Sequence, residues 1–279
     1  MSLPEVRSDQ DAVRKDDFGM TEHSEASEPL RILFITQDDP LYARIFFEEF
    51  LACYLQRESI LGVVLCPAMG RESTMGLARQ MLDFYGPIDF LRMLGRYLAV
   101  KLTRTSLDRV CQRFGVPVYQ EQDINRDAFS TGWRARNVDV IVSVAAPQVF
   151  RESLLSLPRK GCVNIHHAPL PRYRGMMPGF WQMYHSEPFA GITVHRMNSR
   201  IDAGEIILQR EVPIRQEYSL DDLLRFSKRL GARCVIEALE LIQSGRVRYM
   251  PNDTTQGSYF SFPTASDVRE FRRRGKRLL

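Results

Sequence analysis

The chain predicts an α/β protein in which helices flank a mostly parallel central sheet, with a short C-terminal extension. Apolar runs rich in β-formers recur at "RILFIT" (31–36), "ILGVVLCP" (60–67), "DVIVSVA" (139–145) and "CVNIH" (162–166). Between them lie stretches with apolar residues three and four apart, the spacing of a helix with one buried face. The runs are continuous rather than alternating, as expected of parallel strands covered on both faces. A chain of 279 residues, 44 % of them apolar, is long enough for one large or two modest domains.

Taken in order, residues 1–29 are polar, charged and poor in aliphatics, and are expected to form a disordered leader. The main domain is expected over 30–245 and a packed extension over 246–279. After the first strand, "DPLYARIFFEEFLACYLQR" (39–57) has helical spacing with Pro near its start. The segment 73–102 is helical on both sides of Gly86-Pro87, which breaks or kinks it. "SLDRVCQRFG" (106–115) reads as a capped helix, followed by the short strand "VPVYQ". "GITVHRM" (191–197) and "EIILQREVPI" (205–214) flank the loop "NSRIDAG". A long helix over 219–245 has Ser219 as N-cap and Gly245 as stop. The tail holds a short strand, an aromatic loop and a basic final helix.

Bulk properties exclude several classes. A net charge of +4 is too mild to imply nucleic acid by itself. The five Cys form no CxxC pair, so a Cys zinc site or disulfide framework is not expected; buried, reduced thiols fit a cytoplasmic protein. No uncharged apolar run reaches the length of a membrane span, so a membrane partner is not expected either. There is no GxxxxGKS loop, no GxGxxG after the first strand and no GxSxG elbow. The first strand leads instead into "QDDP", whose acids oppose a phosphate.

The informative stretch is "VNIHHAPLPRYRG" (163–175). Asn164 and His166 are two apart and share a strand face. An amide can donate to an oxygen that gains charge, and an imidazole can move a proton near neutral pH. Asp202, 36 residues after His166, can hold that imidazole charged or take the proton itself. The set suits acyl transfer with direct attack by an amine or by water, since no Ser or Cys nucleophile stands beside it. His166 and His167 point to opposite strand faces, so no metal is expected.

"NIHHAPLPRYRG", followed by "GITVHRMNSRIDAGEII", resembles the formyltransferase family that uses 10-formyltetrahydrofolate. That family includes methionyl-tRNA, glycinamide ribonucleotide and sugar N-formyltransferases. The resemblance covers roughly residues 31–260 and implies a Rossmann-like formyltransferase fold. It implies catalytic roles for Asn164, which holds the formyl oxygen and the amine, for His166, which stabilises the oxyanion, and for Asp202, which receives the amine proton. It places the pterin pocket at Ala145, Ala146, Pro147, Val149, Ile201 and Gly204, with Leu170 and Pro171, joined by a cis peptide bond, as its wall. The acceptor is expected against Arg172, Tyr173, Arg174, Gly175 and His195, with Trp181, Tyr184 and His185 as further lining or as core.

The chain departs from the pattern in two places. "AAPQ" stands where many members have a Gly-containing turn, and "MNSRIDAG" carries Arg200 where acids are common. Only about 34 residues follow Gly245, too few for the C-terminal barrel of the tRNA enzymes. A small-molecule amine is therefore the expected acceptor, an amino sugar nucleotide or a biosynthetic amine, with nucleic acid disfavoured and a homodimer as one option. The alternatives are a 10-formyltetrahydrofolate hydrolase and a truncated methionyl-tRNA formyltransferase.

Overall fold

The computed structural model describes residues 28–67, 74–103 and 105–279; the expected leader falls almost wholly outside them. The chain opens with β1 (Ile32–Gln37), α1 (Ala43–Cys53), β2 (Ile60–Cys66), α2 (Thr74–Leu102), α3 (Leu107–Arg113) and β3 (Val118–Gln120). It continues with α4 (Asp127–Arg134), β4 (Val140–Val144), α5 (Glu152–Leu155), β5 (Cys162–His166), β6 (Arg174–Gly175) and α6 (Pro178–Tyr184). It closes with β7 (Phe189–Arg196), β8 (Ile206–Pro213), α7 (Leu220–Gln243), β9 (Tyr259–Phe260) and α8 (Ala265–Arg273).

Seven strands form one sheet in the order β3-β2-β1-β4-β5-β7-β8. The first five are parallel, and β7 and β8 run antiparallel at the edge. This is the expected α/β class. The β1, β2, β4 and β5 runs are buried because helices cover both faces. On one face α1 and α7 close a large core with Phe34, Phe46, Phe47 and Phe50 at its centre. On the other, Phe129, Trp133, Phe150 and Leu154 of α4, α5 and their flanks pack on Leu33, Ile141 and Cys162.

Local chemistry sets the ends. Helix α1 begins at Ala43 rather than 39, because the Asp39 carboxylate accepts the N–H groups of Leu41, Tyr42 and Ala43 in a turn around Pro40. Helix α7 starts with the full capping box of Ser219 and Asp222. In α2, Gly86 adopts φ 69° and ψ 169°, so the element is two helical halves meeting at Gly86-Pro87. Helix α4 has no counterpart in the sequence reading. At eight residues it is too short for a decisive period, and it is held by burying Phe129, Ser130 and Trp133.

Residues after α7 fold back on the body. The aromatic stretch "GSYFSFPT" is a clasp: β9 pairs with β6, and the Trp181 indole donates to the Ser261 carbonyl at 3.0 Å. The rings of Tyr173, Phe260 and Trp181 stack in series. Helix α8 buries Val268 and Phe271, and the Phe271 ring stacks on Phe180 at 4.6 Å. Truncating Phe271 to Ala should cost about 3–5 kcal/mol of unfolding free energy. A denaturant titration reading a loss under about 1 kcal/mol would show that α8 is not part of the cooperative unit.

Candidate active site

Strand register assembles the site. Ser143 of β4 lies beside Asn164 of β5, and Asn164 beside His195 of β7. His166 lies beside Thr193 in the next row. With period two, Cys162, Asn164 and His166 share the α4–α5 face of the sheet. Cys162 is absorbed by the core there. Burial pushes its thiol up to about 12, and it contacts the Leu154 carbonyl, so no thiolate is on offer. Asn164 and His166 continue beyond that packing, where the loop 197–205 folds against them and brings Asp202.

Four side chains meet. Asp202 Oδ2 is 3.6 Å from His166 Nδ1, and Asp202 Oδ1 is 3.7 Å from His195 Nε2. Asn164 Nδ2 is 3.2 Å from His195 Nε2. The tautomers follow from the carbonyls. His195 Nδ1 faces the Arg196 carbonyl at 2.9 Å, so Nδ1 carries the proton and Nε2 accepts from Asn164. His166 Nε2 faces the Tyr173 carbonyl at 2.8 Å, so Nε2 carries the proton and Nδ1 turns its lone pair toward Asp202.

Asp202 is held by backbone. The Gly175 N–H donates to its Oδ2 at 2.9 Å, and Asn252 Nδ2 donates to the carbonyls of Asp202 and Gly204. Burial works to raise its pKa, but the neighbouring His166 and His195 side chains and the Gly175 N–H outweigh it and hold the carboxyl at about 2. Burial pushes the His166 imidazole below its ordinary value, against the pull of Asp202 and the Tyr173 carbonyl. The resting pair at neutral pH is carboxylate and neutral imidazole. His167 lies on the other face, against α7, where Lys228 Nζ reaches its Nε2 at 2.9 Å. Burial drives His167 well below its ordinary pKa and Lys228 down to about 8. Among the described residues no three His, Cys, Asp or Glu gather as a metal-ligand set.

The other expected residues surround this centre. Ala145 takes φ 52° at the end of β4; Ala146 and Pro147 are half-buried, and Val149 is exposed. Ile201 is exposed beside Asp202, and Gly204 backs so closely on the Arg196 carbonyl that no side chain fits. The Leu170-Pro171 peptide bond is cis, and Gln209 and Thr193 hydrogen-bond that turn from β8 and β7. Arg172 is paired with Glu187 at 3.0 Å, while the Arg174 Nε is buried without a hydrogen-bond partner. Tyr173 donates its hydroxyl to Glu187. His195 is buried with both nitrogens engaged, and His185 and Trp181 belong to the aromatic clasp. Sequence reasoning missed Asn252 and Ser258, whose hydroxyl accepts the Tyr173 N–H. Neither position carries a motif that marks it.

Comparison with known proteins gives the context. A family model described as formyl transferase matches residues 99–239. A methionyl-tRNA formyltransferase of Thermotoga neapolitana is 35 % identical over 159 residues, 57 % of this chain and 51 % of the relative. One from Kosmotoga olearia is 29 % identical over 168 residues, 60 % and 54 % of the two chains. The chain spans about half the length of the curated relatives it matches. A sugar N-formyltransferase structure from Shewanella superposes with TM-score 0.54 at 17 % identity, covering 83 % of this chain and 77 % of that one. Glycinamide ribonucleotide transformylase 1 from Symbiobacterium toebii gives 0.54 at 21 %, covering 80 % and 94 %. An N-formyltransferase from Helicobacter canadensis, solved with folinic acid and dTDP-3-aminofucose, gives 0.54 at 14 %, covering 87 % and 79 %. At these identities the superpositions carry the fold alone.

The ionised Asp202 makes a stability prediction. Its folded pKa lies below the unfolded one, so its contribution is present above about pH 4 and is lost as pH falls toward about 2. Against Asp202→Asn, the native chain should lose an advantage of ~2 kcal/mol between pH 5 and pH 2. Denaturant curves at several pH values check it; a difference that does not change with pH would place a neutral carboxyl at 202.

Proposed function

The chain belongs to the formyl transferase family, and from that premise we propose that it transfers the formyl group of 10-formyltetrahydrofolate to the primary amine of a small acceptor. The observation that carries this reading is the meeting of Asn164, His166 and Asp202 on one sheet face, with the carboxylate ionised and the imidazole neutral. Folate, when bound, supplies a formyl group already on a nitrogen leaving group. The residues fit a flat heterocycle: the exposed apolar side chains Val149 and Ile201 offer it cover, and the loop 145–149 offers backbone groups.

The rest is the work of this chain. Asn164, its amide oriented by His195, donates to the oxygen that gains charge as the amine adds. Resting His166 has no proton on Nδ1 to give, because its single proton sits on Nε2 at the Tyr173 carbonyl. The proton shed by the attacking amine is taken by Asp202 or by His166 Nδ1, and the Asp202–His166 pair then holds it as an imidazolium beside a carboxylate. That imidazolium donates to the charged oxygen, and the proton finally returns to the departing nitrogen, so none is gained or lost. His195 acts here as a positioning residue for Asn164 rather than as an acceptor contact. On the acceptor side, Arg174 and the half-exposed ring of Tyr259, which packs over Gly175, offer a charge and an aromatic face. The Helicobacter enzyme solved with a nucleotide amino sugar supports this acceptor class. The tRNA relatives support a second reading in which the acceptor is an aminoacyl-tRNA.

One assay separates the readings. The protein, 10-formyltetrahydrofolate and a panel of nucleotide-linked amino sugars, amino acids and methionyl-tRNA are followed by mass spectrometry. A formylated small amine supports the proposal. Formylated methionyl-tRNA alone selects the second reading, and formate released without any amine selects a hydrolase. In the productive assay Asp202→Asn should lower kcat by at least about a hundredfold at nearly unchanged folate KM. Activity should also fall on the acid side as His166 takes up a proton, at a pH below the ordinary 6.5 of imidazole. Full activity of Asp202→Asn would remove Asp202 from the chemistry.

A further inference from the structure

The second half of α2 is built inside out. Met93 faces the core and is buried, whereas Ile88, Leu91, Leu98 and Leu102 are 68, 65, 50 and 83 % exposed. Together with Gly95 these residues recur at intervals of three and four, so they form one straight stripe on the face turned away from the body. Leu94 widens the stripe on one side. Most of this helix precedes residue 99, where the family match begins.

The charge beside the ridge has one sign outward. Arg92 is exposed next to the stripe, with its partner Asp89 turned inward. Arg272 of α8 reaches the same Asp89 and the Tyr85 carbonyl, which fastens α8 alongside α2. Helix α8 and the residue that caps it add exposed Arg269, Arg273 and Arg274, while the acid Glu270 sits among them as a partner. The exposed acid of α2, Asp83, lies on the other half, across the Gly86 kink.

We propose that the Ile88–Leu102 ridge of α2, with its arginine rim from α2 and α8, docks reversibly on an anionic lipid bilayer. An apolar stripe bordered by arginines is the pattern of a helix lying in the membrane interface, with leucines in the acyl boundary and guanidinium groups at the phosphates. Charge decides between this occupant and a second copy. A second copy would bring a patch with the same arginine-rich charge to the ridge, whereas an anionic bilayer meets it with the opposite one. No helix among the described residues is long and apolar enough to cross a membrane, so the contact is interfacial.

Flotation of the full chain with vesicles of phosphatidylcholine, alone and with about one quarter phosphatidylglycerol, tests this. The expected result is partitioning to the anionic vesicles at least about tenfold above the neutral ones, weakened by salt. Leu91→Asp with Leu98→Asp should abolish it, with an unchanged circular dichroism spectrum. Arg92→Gln with Arg273→Gln should weaken it without touching the ridge. Two results overturn the proposal: no binding to anionic vesicles, or a dimer by light scattering that Leu91→Asp dissociates, which would make a second copy the occupant.

Discussion

Two main-chain groups two residues apart fix the His166 tautomer and anchor the Asp202 carboxylate. The Tyr173 carbonyl takes the Nε2 proton of His166, and the Gly175 N–H points at Asp202. The first fixes which imidazole nitrogen is free; the second favours a carboxylate despite burial. Much of the surrounding structure holds the turn 170–175 still. Gln209 and Thr193 brace its start, Ser258 accepts the Tyr173 N–H, and β9 pairs with β6 along Arg174 and Gly175. The segments after α7 are thus tied to the site through backbone pairing, not just packed on the outside.

The same constraint explains which parts were legible in the sequence. The sheet was, because β1, β2, β4 and β5 are continuous apolar runs and a covered parallel strand has little other composition open to it. The break in α2 was, because Gly86-Pro87 cannot continue a helix. Asn164 and His166 were, through the period of two. The nearness of Asp202 was not, since no local rule brings a residue 36 positions later to His166; that needed the resemblance. The Tyr173 carbonyl, the Gly175 amide and Asn252 left no trace, because a backbone group has no residue type and a lone Asn in a loop has no period. The short α4 was lost for the same want of length.

His195 shows how packing reassigns a residue. The sequence placed it on the acceptor side, from a resemblance. In the fold it is buried, it gives its Nδ1 proton to the Arg196 carbonyl, and its remaining lone pair is turned to Asn164. With both nitrogens engaged, it is proposed to orient Asn164 rather than to meet the acceptor. It does have a definite orientation to impose on the Asn164 amide, which is what a donor aimed at developing charge requires.

The account rests on a neutral His166, protonated on Nε2, beside an ionised Asp202. Nitrogen and carbon NMR of the titrating side chains reads this most directly. The account predicts a His166 that titrates below 6.5 with its neutral proton on Nε2, and an Asp202 carboxyl that stays ionised down to strong acid, near about 2. An imidazolium at pH 7, a neutral His166 protonated on Nδ1, or a carboxyl at 202 that titrates near 4 or above would contradict it.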